Sequence, residues 1–75
     1  MREIRLNTER ELQRFLDAVE KKMSERDLDN KKLAEELGVA VQSIYNFRTD
    51  NSRKRSRYLA AKLADYLEIR PYEYR

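Results

Sequence analysis

The sequence predicts an all-α domain, and three observations carry that prediction. Its 75 residues are rich in Leu, Ala, Glu, Lys, Arg and Gln, the strong helix formers. One glycine and one proline are too few for a sheet-rich chain with many tight turns. Apolar residues recur at spacings of three and four along the chain, the mark of amphipathic helices. A chain this short buries only about 60% of its unfolded surface, so every element must share one core.

Residues 1–7 alternate weakly, Ile4 and Leu6 against Arg2, Glu3 and Arg5. That pattern suits a short strand, an ordered arm or a frayed end. The first helix starts at Thr8, which forms a capping box with Glu11, while Glu9 and Glu11 suit the positive end of the helix dipole. Leu12, Phe15, Leu16, Val19 and Met23 form its apolar stripe. Lys21 and Lys22 lie toward the C-terminal end, where cations are favoured, and the helix is expected to stop near Glu25.

SERDLD is a connector in which Leu28 plugs the core. Asp29 is a good N-cap for a second helix over residues 30–37. Gly38 then occupies the left-handed position that closes a helix. A third helix follows from Val41 to Thr49, with Asp50 and Asn51 as turn residues behind it. The loop NSRKR leads to Ser56, a candidate N-cap for a fourth helix. Tyr58 or Leu59, with Ala60, Leu63, Ala64 and Leu67, give that helix its buried face, and Ile69 continues the core. Pro71 suits the first position of a last helical turn, PYEY. The expected architecture is one compact domain over residues 1–75, with four helices plus a terminal turn.

Composition narrows the function. Without cysteine or histidine there is no disulfide, no thiolate metal site and no imidazole base. The carboxylates sit at helix-surface spacing with no partner that would tune them, so no enzyme, metal or cofactor is expected. No apolar run approaches the roughly 20 residues of a membrane span, and MREIRLNTERE is too polar for a secretory signal. A cytoplasmic protein with no membrane or small-molecule ligand is expected.

The net charge of +3 is modest but unevenly placed. Residues 48–58 carry Arg48, Arg53, Lys54, Arg55 and Arg57 against Asp50, so the rest of the chain sums to −1. A positive field focused in this way suits a polyanion. It follows directly on the most informative stretch, NKKLAEELGVAVQSIYNF, residues 30–47. Two short helices joined at a glycine read as a helix-turn-helix over about 30–48, whose second helix can enter the DNA major groove.

With Leu33, Leu37, Val39, Ile44 and Phe47 buried, the third helix exposes Val41, Gln42, Tyr45, Asn46 and Thr49, with Ala40 and Ser43 near its start. Residues 40–47 carry no charge, although 41% of the chain is charged. Gln42 and Asn46 can each pair bidentately with adenine, on neighbouring base pairs, and Val41 suits a thymine methyl. Tyr45 completes the expected base-reading set with Val41, Gln42 and Asn46, and its hydroxyl or ring can also reach a phosphate or the sugar wall. Arg53, Lys54, Arg55 and Arg57, with Ser43 and Thr49, are the expected phosphate contacts. Asn30, at the start of the second helix, is another. The competing reading is a protein-interaction module, such as an antitoxin or antirepressor, with Tyr45, Phe47, Tyr72 and Tyr74 as its contact surface. Tyr66, Tyr72 and Tyr74 also suit a homodimer seam.

The string LDNKKLAEELGVAVQSIYNF, a polar loop and a helix ending KLADYLEI resemble the DNA-binding domains of phage repressors and Cro-like proteins, the Xre-type regulators. The matching positions are Leu33-Ala34, Gly38-Val39, Ile44, and Leu63-Ala64 with Leu67, and the likeness covers about residues 10–74. It implies a five-helix lambda-repressor-like domain that binds duplex DNA through its third helix, as a homodimer on a palindromic site. Carried over by position, Val41, Gln42 and Asn46 are base readers and Asn30 is a phosphate contact. The sequence departs from the family in three places. Ala40 replaces the usual Ser or Thr cap, Arg48 stands where an acidic residue is common, and the loop after the third helix lacks glycine and proline.

Overall fold

The long first helix packs against the last helix and the C-terminal turn, and its Phe15 reaches Phe47 of the third helix. The computed structural model describes residues 4–6, 8–49 and 57–75. Helix α1 spans Glu9–Glu25. The Thr8 hydroxyl accepts the Glu11 N–H at 3.1 Å, so the expected cap is in place. Phe15, Val19 and Met23 are buried from this helix. Leu16 packs against the core but remains half-buried, and Leu12 is half-buried as well.

Helix α2 spans Asn30–Leu37, and the Asp29 carboxylate accepts the Lys32 N–H at 2.7 Å. Helix α3 spans Val41–Thr49. Between them Gly38 takes φ +69°. Its N–H donates to the Glu35 carbonyl at 3.3 Å, and the Val39 N–H reaches back to Ala34 at 3.0 Å. That pair of bonds is a Schellman closure, which ends α2 and turns Val39 toward the core. Helix α4 spans Arg57–Leu67, followed by a 3-10 turn at Pro71–Glu73. The described residues are thus all-helical, with four α-helices and the terminal turn, and they contain no strand.

Helices α1 and α4 end in the same closure without glycine. The Leu28 N–H donates to Met23 and the Ile69 N–H to Ala64, at 2.8 and 2.9 Å. Asp27 and Glu68 occupy the left-handed position, at φ +55° and +59°. Each closure delivers an apolar residue, Leu28, Val39 or Ile69, to one core.

That core joins α1 to Leu33 and Ala34 of α2, Ile44 and Phe47 of α3, and Leu59, Ala60, Leu63, Ala64 and Leu67 of α4. Burying each of the larger aliphatic or aromatic side chains is worth about 1.5–3 kcal/mol. Phe15 sits in an aromatic cluster, meeting Phe47 and Tyr74 edge-on at centroid distances of 6.1 and 5.3 Å. The radius of gyration, 11.2 Å, matches the roughly 11 Å expected of a compact chain of this length.

Several expectations are corrected or resolved. Leu59 faces inward and Tyr58 is exposed, because consecutive helical residues point about 100° apart. Ala61 is also buried, beyond the face read from the sequence. Residues 4–6 form an arm docked on the core and not a strand. Ile4 and Leu6 pack on the core, and the Ile4 N–H donates to the Arg57 carbonyl at 3.3 Å. The expected caps and turn residues Asp50, Asn51 and Ser56 lie outside the described residues.

Candidate nucleic-acid interface

Helix α3 has two unlike sides because its apolar residues are confined to one arc. Ile44 and Phe47 are buried. Val41, Gln42, Tyr45, Asn46 and Thr49 fall on the opposite arc and are exposed, as is Ser43 at its margin. All four expected base readers, Val41, Gln42, Tyr45 and Asn46, therefore share one accessible face. Val41 and Tyr45 are each about half exposed, at 49% and 52%. Burying either would repay its hydration, and the fold itself does not do so.

The polar groups of this face are partly engaged with one another. The Gln42 side-chain amide donates to Asn46 Oδ1 at 2.9 Å. The Thr49 hydroxyl donates to the Tyr45 carbonyl one turn back, at 2.8 Å. In that rotamer Thr49 has spent its one proton and has nothing left to donate to a phosphate.

A second polar link joins the two ends of the α2–α3 pair. Arg48 donates to Asn30 Oδ1 at 2.6 Å, across 18 residues of sequence and partly buried. The bond fixes the orientation of the Asn30 amide and leaves its NH2 as the group to offer a phosphate. It also gives a purpose to the arginine at position 48, which the sequence marked as a departure. Around this point α2 carries Lys31 and Lys32 in its first turn and no carboxylate there beyond the Asp29 cap. Cations at a helix N-terminus oppose the dipole. Their presence strengthens the positive field near Asn30 at some expense to the helix.

The placement of Lys31 and Lys32 against the dipole is legible in the sequence, whereas the Arg48–Asn30 bond, made across 18 residues, is not. Arg57 is exposed at the start of α4, beside the arm that carries Arg5. Arg53, Lys54 and Arg55 lie outside the described residues.

The aromatic surface expected of a protein-docking module is not assembled. Phe47 and Tyr74 are buried in the core against Phe15. Phe47 lies on the buried arc of α3, and Tyr74 is interior because the C-terminal turn folds back onto α1, where Arg14 donates to the Arg75 carbonyl and Lys22 pairs with Glu73. Tyr74 is likewise removed from the expected dimer seam, Tyr66 is half-buried, and Tyr72 is 81% exposed. A shallow depression lined by Arg14, Asp17, Ala18, Lys21 and Glu73 holds none of the expected site residues. Among the described residues no cluster of acidic side chains fits a metal ion, and no helix is long and apolar enough to cross a membrane.

Comparison with family models, with curated proteins and with solved structures returns no match for this chain.

Proposed function

We propose that this chain is a helix-turn-helix DNA-binding domain of the lambda-repressor-like type, acting as a transcriptional regulator. Helix α3 lies in the major groove of duplex DNA. Val41, Gln42, Tyr45 and Asn46 face the base edges. Asn30, Ser43 and Arg57 contact phosphates, together with Arg53, Lys54 and Arg55. A homodimer places two such helices in successive major grooves of a palindromic site, about 34 Å apart.

The observation that carries this reading is the exposed face of α3. It is uncharged and amide-bearing in a chain that is 41% charged. Solvated helices of this protein carry Lys and Glu, as α1 does. A face that forgoes charge, keeps two amides outward and is flanked by cations suits base edges within a phosphate frame.

Binding to a random-sequence duplex pool at several salt concentrations tests it. Affinity should fall linearly on a log–log plot, with a slope of about −0.9 for each phosphate neutralised. Selection from that pool should return a palindromic consensus. A chain that retains no duplex at low salt, or selects no consensus, is not this regulator. The high exposure of Tyr72 favours a protein-docking role as the second reading. Docking of that kind would depend little on salt.

A further inference from the structure

We infer that Gln42 and Asn46 act as one reading unit directed at a single adenine, not as two readers of neighbouring base pairs. The inference rests on the proposed DNA-binding reading and deepens it. The two residues are four apart on α3, both are exposed, and their amides are already bonded at 2.9 Å.

That bond decides what the pair has left to offer. Gln42 has committed one N–H and Asn46 one lone pair of its carbonyl oxygen. Gln42 Oε1 keeps both of its lone pairs and Asn46 Nδ2 keeps both of its hydrogens. The free ends of the joined amides are therefore an acceptor and a donor. Adenine shows the complement in the major groove, an N6 amino donor beside the N7 acceptor. Guanine shows two acceptors, O6 and N7, and would set an oxygen against Gln42 Oε1.

Joining also removes independence. Two free amides can spread to base pairs stacked about 3.4 Å apart. Two amides bonded to each other present their free ends at one place. Each side chain holds its partner in the reading rotamer, so removing either one loosens the other. Val41, one turn from Tyr45 on the same face, remains free to meet a thymine methyl.

The test is selection from a random duplex library by the wild type, Gln42→Ala, Asn46→Ala and the double variant, followed by affinity measurements on the wild-type consensus. Each single variant should relax preference at the same A·T pair of the half-site. Each should bind the consensus roughly 5- to 150-fold more weakly, the range for one bidentate contact. The double variant should lose little more than the worse single variant, since members of one hydrogen-bonded pair do not add. Replacing that adenine with 7-deazaadenine should weaken the wild type and leave Asn46→Ala unchanged. Preference lost at two different base pairs, with costs that multiply, overturns the inference and leaves DNA binding standing. A wild type that selects no consensus overturns the DNA-binding reading itself. All four residue states lie on an exposed surface, and unchanged thermal midpoints verify that the variants remain folded.

Discussion

Helices α1 and α3 rest on the same core but are stabilised in opposite ways. Helix α1 runs 17 residues and supports itself locally. It has the Thr8 cap, acidic residues in its first turn, Lys22 in its last turn and a Gln13–Asp17 bond at 2.9 Å. Helix α3 runs nine residues and is made largely of weak helix formers, among them Val41, Ile44, Tyr45, Asn46, Phe47 and Thr49. The residue before it, Ala40, has no side-chain oxygen to cap it. A helix this short is marginal in isolation. It holds here because Ile44 and Phe47 are buried and Arg48 is tied to Asn30. Helix α3 thus draws most of its order from beneath, which leaves its outer face with little duty to stability.

The largest test of that contrast is to remove the support. Phe47→Ala should cost about 3–5 kcal/mol, as should Phe15→Ala, measured by urea denaturation. Stabilities of small domains are of the same order, so either change should leave a large unfolded fraction. If Phe47→Ala cost under about 1 kcal/mol, α3 would have to be stable for reasons of its own.

What the sequence revealed and what it hid divide along the same line. The start of α1 at Thr8, the Asp29 cap and the Gly38 turn were legible because each depends on neighbours within a few residues. The buried stripe of α1 and the exposed arc of α3 were legible from spacing. The inward position of Tyr74, the docked arm at Ile4 and Leu6, and the Arg48–Asn30 bond were not. Each is made across long stretches of chain, and no local pattern encodes it. The choice between Tyr58 and Leu59 turned on a single helical step, which an aromatic next to a leucine leaves ambiguous. The closures at Asp27 and Glu68 were hidden because a charged residue gives little sign of a left-handed backbone.

Gly38 provides the next test, at the hinge between α2 and α3. A Cβ at this position would meet nothing within 4 Å. The expense of Gly38→Ala is therefore purely that of a left-handed backbone, about 1–2 kcal/mol. The closure at the end of α1 supplies the control. Asp27→Gly, at φ +55°, should stabilise the protein by roughly 0.5–1 kcal/mol, since the strain it relieves exceeds the entropy that glycine adds; Glu68→Gly would also lose the carboxylate that pairs with Arg26 at 3.4 Å. Thermal melts of Gly38→Ala and Asp27→Gly should shift in opposite directions.

Ala40→Ser sharpens the comparison from the other side. A serine oxygen there can accept an N–H from the first turn of α3, a contribution of about 1 kcal/mol. The variant should melt higher, and hydrogen exchange in α3 should slow more than in α1. An unchanged melting temperature would mean that the first turn of α3 is already satisfied by other means.

The smallest effect is the most discriminating. Gln13–Asp17 on α1 and Gln42–Asn46 on α3 are both side-chain bonds across one helical turn, each 2.9 Å long and exposed. Bonds of this kind stabilise a helix by about 0.2–0.5 kcal/mol, and the better helix propensity of alanine offsets part of that loss. Gln13→Ala and Gln42→Ala should therefore change stability equally little, by no more than about 0.5 kcal/mol in denaturation. On duplex DNA they should separate completely. Gln13→Ala should bind the selected consensus as the wild type does, while Gln42→Ala should lose its preference at one base pair. Equal behaviour of the two variants on DNA would make the α3 pair no more than another surface bond. The contrast between a self-supporting helix and a helix held for what it presents would then fail.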